Sequence, residues 1–442
     1  MHRSLKTLTA VLVAALVAAL APGPPAGAEA ADLTSTEVTF TGRDGVVLHG
    51  TVLAPAGASG DRPGVVMLEG AGNRGRGYLR PDAEAYARHG IVTLIYDKRT
   101  KGYSLLHRDY SVLADDALAG LALLRGRAGV DPARVGLWAL SEGAFVAPIA
   151  AARSADVAFL VTVGAVGPTP AAQTAWAYDE YLRHAGVSGA VSRALRTAVL
   201  PAAIAAGLFP EAGFDPAPVW RQVRQPVLAE WGELDRDSVP AESVRIIRAA
   251  LRDGGNARYR IRIVPGVNHN LHATAAEGFD RRADLLAGYG DAEAAWIESG
   301  FEPGPAAEGV APASGSPAAA IAPPAWYLRP WPLVVLTVLL LAGFAVAPSW
   351  RLRVLGPLAI VGTLLYLVFL LATAGKVTGP PVLGRPLPWL GLELLVAGVV
   401  VAAALAWRRV GPARGRRMRL GAGTAAAVLL VPWAAAWGLF NL

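Results

Sequence analysis

Three residues far apart in the chain have the types and the surroundings of a nucleophile, an acid and a base. The first is Ser141, which lies between Ala139 and Gly143 directly after an apolar run at 135–140. A strand that meets a small-x-Ser-x-Gly sequence and continues as an alanine-rich helix predicts a sharp turn with an exposed serine hydroxyl, and only small residues fit two positions before and after it. Ala139 stands where glycine is more common. The alternative interpretation is an ordinary serine at a strand-to-helix turn.

The second and third residues are an acid and a base that a serine needs before it can react. A serine hydroxyl is a weak nucleophile near neutral pH, so a histidine must take its proton and a carboxylate must hold that histidine. Asp235 follows an apolar run in a Gly-x-x-Asp turn, and His269 follows another in a Pro-Gly-x-x-His loop. We therefore predict a triad of Ser141, Asp235 and His269, with Asp237 as the alternative acid and His272 as the alternative base.

A reacting carbonyl also needs two backbone N–H donors for its developing oxyanion. One donor belongs to the residue after the nucleophile and the other to a loop that follows an earlier strand. These positions are Glu142 and, in the glycine-rich loop 69–77, either Ala71 or Gly70. The sequence therefore predicts an oxyanion hole formed by Glu142 and Ala71, with Gly70 as the alternative to Ala71.

The sequence predicts neither a cofactor nor a metal. Glycine-rich loops also bind phosphates, but no Lys-Ser/Thr pair follows the loop and its glycines lack dinucleotide-binding spacing. His269 and His272 are too few ligands for a zinc site. The chain contains no cysteine, which excludes disulfides, thiol nucleophiles and cysteine-based zinc sites.

The elements around these residues predict an α/β fold. Apolar runs alternate with helical sequence, which is typical of a mostly parallel sheet covered by helices on both faces. In such sheets the functional site lies beyond the carboxyl ends of the strands, where Glu69, Asp97 and Ser141 fall. The predicted strands are a leading hairpin at 37–40 and 46–53, then 64–68, 91–96, 135–140, 157–163, 226–231 and 259–264; the predicted helices are 81–89, 111–127, 143–153, 240–252 and 292–298.

Within the predicted domain at 31–300, residues 168–224 interrupt the alternation. This stretch is rich in alanine and in residues that favour helices, and it predicts a helical cap over the site that selects the substrate. Residues 301–325 are rich in Ala, Pro, Gly and Ser and are predicted to be a linker.

The first thirty residues have the order of a secretory signal peptide. His2, Arg3 and Lys6 precede an apolar run at 8–20 and a stretch that ends in small residues, so we predict a signal peptide at 1–30, cleaved after Ala28 or Ala30. The alternative is an uncleaved anchor helix. In both cases the following domain is exported.

Residues 326–442 predict an all-α transmembrane domain of about four helices. The apolar segments 331–347, 354–374, 389–407 and 420–440 each approach the roughly 20 residues that cross a bilayer. Glu393 is the one acidic residue in them, and it faces either a neighbouring helix or the interface. This tail holds eleven basic residues and that single acidic one, whereas residues 31–325 are mildly acidic, so the net charge of +7 indicates no nucleic-acid partner.

The distribution of basic residues among the loops predicts the orientation of the helices. The loops 349–353 and 408–419 are rich in arginine, whereas 375–388 carries only Lys376 and Arg385. The positive-inside rule places the two arginine-rich loops in the cytoplasm, and the α/β domain is then extracytoplasmic at the cell membrane.

Residues 35–300 resemble a bacterial α/β-hydrolase of the serine aminopeptidase and dienelactone-hydrolase-like group. The similar stretches are Leu-Glu-Gly-Ala-Gly at 68–72, Tyr-Asp-Lys-Arg-Thr-Lys-Gly-Tyr-Ser at 96–104, with threonine at position 100 where glycine is usual, and Leu-Ser-Glu-Gly-Ala at 140–144. The resemblance implies the α/β-hydrolase fold, a triad of Ser141, Asp235 and His269, and hydrolysis of an ester, thioester or peptide. The tail resembles no family.

Together these features predict a membrane-anchored, extracytoplasmic serine hydrolase of carboxylesterase type. Its partners are a small acyl, ester or peptide substrate and the lipid bilayer. One alternative is a non-catalytic sensing module coupled to the membrane domain, since a single span suffices for anchoring. The other is a serine exopeptidase, in which Glu69 or Glu142 holds the substrate amine.

Overall fold

The structure is a computed structural model that describes residues 32–57, 60–304 and 308–440. The predicted signal peptide lies outside the described residues.

One mixed sheet organises the first part of the chain. Its strand order is β1-β2-β4-β3-β5-β6-β7-β8-β9; β2 pairs antiparallel with both β1 and β4, and the other pairs are parallel. The mostly parallel sheet predicted from the sequence is therefore confirmed. The strands are β1 (Leu33–Thr41), β2 (Val47–Pro55), β3 (Arg62–Leu68), β4 (Val92–Tyr96), β5 (Val130–Leu140), β6 (Leu160–Val163), β7 (Val227–Gly232), β8 (Tyr259–Val264) and β9 (Glu308–Gly309).

Helices cover both faces of this sheet, which explains why its central strands are continuously apolar. Successive side chains of a strand point to opposite faces. In β3, accordingly, Val66 packs in the apolar cluster that contains Leu121 and Ile247, while Val65 packs in the cluster that contains Tyr86 and Trp296. The covering helices are α1 (Arg80–Arg88), α2 (Tyr110–Arg125), α3 (Gly143–Arg153), α8 (Pro240–Asp253) and α9 (Asp291–Glu298).

The segment between β6 and β7 is helical and forms a cap. Its first helix begins after Thr169, whose hydroxyl accepts a hydrogen bond from the N–H of Ala172, and Pro170 occupies the first helical position, where its missing N–H has no effect. The cap contains α4 (Pro170–His184), α5 (Ala190–Ala194), a π-helical turn (Leu195–Val199), α6 (Leu200–Ala205) and α7 (Ala217–Trp220).

Part of the predicted linker packs against the folded domain. β9 extends the sheet beside β8, and Arg260 forms an ion pair with Glu308 at 2.7 Å. The indole of Trp176 in α4 donates to the carbonyl oxygen of Ser316 at 2.9 Å. These contacts hold the segment along the sheet edge and the cap.

Four apolar helices follow, of which three are long and apolar enough to cross a membrane: α11 (Trp350–Ala372), α12 (Leu387–Trp407) and α13 (Arg414–Ala436). The prediction of four spans is corrected at the first helix, α10 (Pro330–Val346), which has 17 residues. It extends about 26 Å at 1.5 Å per residue, against about 30 Å of hydrocarbon. Pro348 explains its early end, because the residue before a proline disfavours helical geometry.

The cap and the C-terminal helices share one apolar core. Leu182, Val191 and Leu195 of the cap belong to the same buried cluster as Phe344 of α10 and Trp389 of α12. The outer surface of the helices carries large exposed apolar side chains, including Leu365, Leu394 and Val428, which suits contact with lipid. A short hairpin, β10 (Pro381–Val382) and β11 (Arg385–Pro386), lies between α11 and α12.

Candidate active site

Ser141 occupies a strained turn at the carboxyl end of β5. Its φ is +53°, an uncommon left-handed conformation for a residue with a side chain, and α3 begins two residues later. A Cβ atom on Gly143 would lie 2.7 Å from the carbonyl oxygen of Leu68. Only glycine fits there, because α3 starts in contact with the end of β3. The requirement for small residues around Ser141 therefore has a direct steric cause.

Asp235 and His269 meet at the ends of the next strands. The Nδ1 atom of His269 lies 2.9 Å from Oδ2 of Asp235, and both side chains are buried. The Asp235 carboxylate also accepts from the hydroxyl of Ser238 at 2.5 Å and from the backbone N–H groups of Asp237 and Ser238 at 2.8 and 2.9 Å. These donors fix the carboxylate, which in turn fixes the imidazole.

Ser141 and His269 both lie at the end of β6. The backbone N–H of Ser141 donates to the carbonyl of Val163 at 2.9 Å. The imidazole of His269 lies against the next residue, Gly164, where an added Cβ would be 2.4 Å from Cε1. Within the described residues the buried Nε2 atom of His269 has no hydrogen-bond partner. The ring is therefore held at Nδ1, and its second nitrogen has a lone pair or a proton to exchange.

The environment shifts both ionisable groups toward their charged forms. Burial lowers the pKa of His269, but the charge and hydrogen bond of Asp235 raise it by more, so it lies above the ordinary 6.5. Burial alone would raise the pKa of Asp235, but the charge of His269 and the donated hydrogen bonds hold it below 3.8. An imidazole with a raised pKa is a stronger base for a serine proton.

The alternative acid and base predicted from the sequence lie in other contacts. Asp237 accepts a hydrogen bond from the hydroxyl of Tyr181 at 3.2 Å rather than from the imidazole of His269. His272 is buried with Nδ1 3.0 Å from the carbonyl of Arg282 and Nε2 3.3 Å from Asp82. The geometry therefore favours Asp235 and His269.

One group of potential metal ligands coincides with this pair. Ligand atoms of Asp235, Asp237 and His269 lie within 4.8 Å of one another. Both Asp235 oxygens accept hydrogen bonds, as described above, and Asp237 accepts from Tyr181. The donor set is thus that of a hydrogen-bonded acid–base pair more than of an open metal site.

The predicted oxyanion donors lie beside Ser141. Among the described residues, the backbone N–H groups of Glu142 and Ala71 donate no hydrogen bond to the protein, and the same is true of Gly70. A Cβ on Gly70 would lie 3.3 Å from Cβ of Ser141, so the 69–77 loop touches the serine. Unpaired N–H groups at this place are what a developing oxyanion needs.

The sequence analysis missed a buried network under this loop. The Glu142 carboxylate is 4% exposed and accepts from Lys98 at 2.9 Å, Tyr103 at 2.7 Å and Arg108 at 2.6 Å. Burial raises the pKa of Glu142, but the charges of Lys98 and Arg108 hold it below 4.5. The glutamate is therefore occupied, and it does not serve as the amine anchor of an exopeptidase. No sequence pattern connects these distant positions. Two of them, Lys98 and Tyr103, lie in the 96–104 stretch that is similar to a known loop, but the similarity did not predict their contact with Glu142.

Lys98 and Tyr103 hold the 69–77 loop on both sides of Ala71. The Lys98 ammonium donates to the carbonyl of Gly70 at 2.5 Å, and the Tyr103 hydroxyl accepts from the N–H of Gly72 at 3.0 Å. The Gly70 carbonyl and the Ala71 N–H belong to one trans peptide and point in opposite directions. Because Lys98 holds the Gly70 carbonyl on its own side of the loop, the Ala71 N–H points away from Lys98. We interpret Lys98 and Tyr103 as positioning residues.

No family model matches the chain. Polyketide transferase claH of Penicillium crustosum is 30% identical over 135 residues, which is 29% of this chain and 44% of that protein. The chain thus spans less than half the length of the curated relative that it matches.

The chain is also similar in fold to solved structures, several of which are named as hydrolases. They include a dienelactone hydrolase-like promiscuous phosphotriesterase, P91, from metagenomic libraries (TM-score 0.42, 16% identity, 61% of this chain and 99% of that one) and dipeptidyl peptidase 4 of Porphyromonas gingivalis (TM-score 0.42, 12% identity, 60% and 35%). Another is 2,6-dihydroxy-pseudo-oxynicotine hydrolase (TM-score 0.40, 17% identity, 64% and 70%).

We expect Lys98→Met to impair turnover more than binding. The change releases the Gly70 carbonyl, and misplacing one oxyanion donor lowers kcat by up to about 10²–10³-fold, with little change in KM. It also leaves Glu142 with one cation fewer, and breaking a buried ion pair costs about 3–5 kcal/mol of stability. Steady-state kinetics with a chromogenic ester and thermal unfolding would measure both effects.

Lys101→Met is the matched control, because Lys101 lies in the same stretch and is exposed. It should leave kcat and Tm near their wild-type values. A Lys98→Met protein that loses stability but keeps full kcat at a temperature where it is folded would show that Lys98 is structural and does not position the loop.

We expect Asp237→Asn to move the acid limb of the pH profile. Only the neutral ring of His269 accepts a proton, so kcat/KM falls as the pH drops through its pKa, which lies above 6.5. The charge of Asp237 raises that pKa, and Lys376 lowers it. Removing the Asp237 charge should therefore shift the acid limb to lower pH.

The control for this shift is Asp253→Asn. Asp253 is the last residue of the 14-residue helix α8, about 20 Å along the helix from the end near the site, and its removal should leave the limb unmoved. An acid limb that stays in place in Asp237→Asn, or that moves to higher pH, would contradict the assignment of the limb to His269.

Proposed function

We propose that this chain is a serine hydrolase that cleaves an ester, thioester or other acyl bond through an acyl-enzyme. One observation carries the proposal: Ser141 stands in a strained turn at the end of β5, and a buried His269–Asp235 pair lies at the ends of β7 and β8 in the same sheet. This is the arrangement in which a histidine activates a serine and a carboxylate holds the histidine. The hydrolase character of the structural neighbours agrees with it.

In the first half of the reaction Ser141 is acylated. Its Oγ attacks the carbonyl carbon of the substrate while Nε2 of His269 takes the hydroxyl proton. Asp235 keeps the remaining ring proton on Nδ1 and stabilises the imidazolium. The N–H groups of Glu142 and Ala71 bind the oxyanion, after which the bond to the leaving group breaks and His269 gives that group its proton.

In the second half water repeats these steps. His269 takes a proton from water, the hydroxide attacks the acyl carbon, and the bond to Ser141 breaks as the serine recovers its proton. The free acid leaves. Glu142 is occupied by Lys98, Tyr103 and Arg108, which removes one of the two carboxylates that an exopeptidase could use for the substrate amine. The other, Glu69, accepts from Arg74 through Oε1 only, and the aminoacyl amides in the panel below test its role.

We also propose that the catalytic domain is extracytoplasmic and held at the bacterial cell membrane by the C-terminal helices. The arginine-poor loop between α11 and α12 contacts the cap: the backbone N–H of Ser188 donates to the carbonyl of Gly384 at 2.8 Å. This loop and the catalytic domain therefore share one side of the bilayer, and the positive-inside rule assigns that side to the exterior. The short α10 then connects that side with the arginine-rich loop 349–353. Arg385 of the loop pairs with Glu393 at 2.8 Å, which supports an interfacial position for that glutamate.

Labelling with a fluorophosphonate probe tests the function. The purified full chain in detergent should take up the probe, which reacts with activated serines, and Ser141→Ala should not. Folded wild-type protein without label, or equal labelling of both proteins, would contradict the proposal. A panel of chromogenic esters, thioesters and aminoacyl amides then identifies the type of bond that is cleaved.

A further inference from the structure

The loop 373–386 of the C-terminal helices lies against the catalytic domain next to its acid–base pair. The Tyr178 hydroxyl donates to the carbonyl of Leu371 at 3.1 Å, and the backbone N–H of Ser188 donates to the carbonyl of Gly384 at 2.8 Å. A Cβ on Gly186 would lie 3.3 Å from Pro381, so the two chains are in van der Waals contact. The cap is thus attached to the membrane domain at several points.

Lys376 of this loop carries a positive charge to the edge of the site. Its Nζ lies 4.6 Å from the ring centroid of Tyr181, and the Tyr181 hydroxyl donates to Asp237 at 3.2 Å. The positive charge of Lys376 lowers the pKa of His269, as burial also does, and it therefore acts against the raising effect of Asp235. Lys376 is exposed, and within residues 32–57, 60–304 and 308–440 it forms no ion pair. A cation without an acidic partner, beside an active site, is available to bind an anion of the substrate.

A second feature, an apolar groove, lies between the cap and the start of the membrane helices. Its volume is about 560 Å³, and its walls come from α6, the segment 321–324 and the start of α10, with Arg329 as its charged residue. Trp326 and Trp331 are 69% and 68% exposed at this end of α10. Exposed tryptophans at a helix end mark the level of the lipid headgroups. The cap therefore carries an apolar groove at the level of the membrane surface.

We propose that the substrate is an acyl ester of an anionic membrane lipid, and that Lys376 binds its charged headgroup while the ester lies at Ser141. This inference rests on the proposed serine hydrolase function and adds the substrate class. The ester C–O bond breaks as the Ser141 Oγ–acyl bond forms, and the serine proton passes through His269 to the leaving lysolipid hydroxyl. Water then releases the fatty acid and restores the serine.

The test compares an anionic and a zwitterionic lipid. The full chain in mixed micelles is given phosphatidylglycerol or phosphatidylcholine with identical acyl chains, and kcat/KM is measured for each. Wild type should prefer the anionic lipid. Lys376→Met should lower the ratio of the two kcat/KM values about tenfold, the loss expected for one charged hydrogen bond, and Lys376→Arg should keep most of the preference.

Arg408→Met is the control, because it removes an exposed positive charge at the opposite end of α12. Its lipid preference should equal that of wild type. Equal cleavage of both lipids by wild type overturns the proposal, and so does a ratio that falls as far in Arg408→Met as in Lys376→Met.

A soluble substrate distinguishes a membrane lipid from a free anionic ester. Dibutyryl phosphatidylglycerol, used below its critical micelle concentration, should be cleaved far more slowly than the long-chain lipid. If the soluble and the long-chain lipid are cleaved equally fast, with the same dependence on Lys376, the substrate is a free anionic ester and not a membrane lipid. Failure of the underlying function is recognised separately, as loss of both fluorophosphonate labelling and hydrolysis of every ester, lipid or not.

Discussion

Ser141→Ala should abolish turnover while leaving the fold unchanged. Removing the nucleophile of a serine triad lowers kcat by about 10⁵–10⁶-fold, and the residual rate, about 10³–10⁴-fold above that in water, comes from the oxyanion donors and substrate binding. Alanine keeps the Cβ atom, so the cost of the positive φ at this position is the same in both proteins. KM and Tm should therefore stay close to wild type.

The measurement is steady-state kinetics with a neutral chromogenic ester, together with thermal unfolding of both proteins. Ser35→Ala, at an exposed position of the edge strand β1, is the matched control and should be fully active. Turnover of Ser141→Ala within tenfold of wild type would exclude Ser141 as the nucleophile, whereas no turnover of any ester by the folded wild type would favour the non-catalytic sensing function.

Asp235→Asn should have the second largest effect, through the tautomer of His269. The asparagine amide can donate a hydrogen bond to Nδ1, which places the remaining ring proton on Nε2. A protonated Nε2 cannot accept the proton of Ser141, and the corresponding change in other serine triads lowers kcat by about 10⁴-fold. The side chain keeps its shape and one acceptor oxygen for the backbone N–H groups of Asp237 and Ser238, so the turn should survive.

Asp237→Asn is the natural comparison, because it makes the same chemical change two residues away. It should alter the pH profile but keep a plateau kcat near wild type. A similar loss of kcat in both variants would mean that Asp235 and Asp237 share the role of the acid, and a larger loss in Asp237→Asn would reverse the assignment.

The α/β part of the chain was predictable because its signals are local. Apolar runs of strand length, separated by helical sequence, specify a parallel sheet with both faces covered, and the observed β8, Tyr259–Val264, coincides with the predicted run. The turn at Ser141 was predictable because such a turn has no room for a large residue two positions after the serine, and the sequence has Gly143 there. Chain order also indicated that an acid and a histidine follow later strands.

The choice between neighbouring residues was not predictable in this way. Asp235 and Asp237 are both plausible acids in the sequence, and the turn geometry decides between them by directing one carboxylate to His269 and the other to Tyr181. The prediction of a fourth span failed at α10 because of its length. The helix has 17 residues, as many as the predicted segment 331–347, which is fewer than the roughly 20 that cross a bilayer.

The sequence by itself determined the central strands of the sheet, the three long apolar helices and the need for small residues around Ser141, because periodicity, hydropathy and sterics act over a few residues. Only the tertiary structure decided that Lys98 and Glu142 pair under the 69–77 loop, and that Lys376 reaches the site from the membrane helices. These pairs are 44 residues apart or more. Their interactions depend on how strands and helices pack, and no local pattern in the chain specifies that packing.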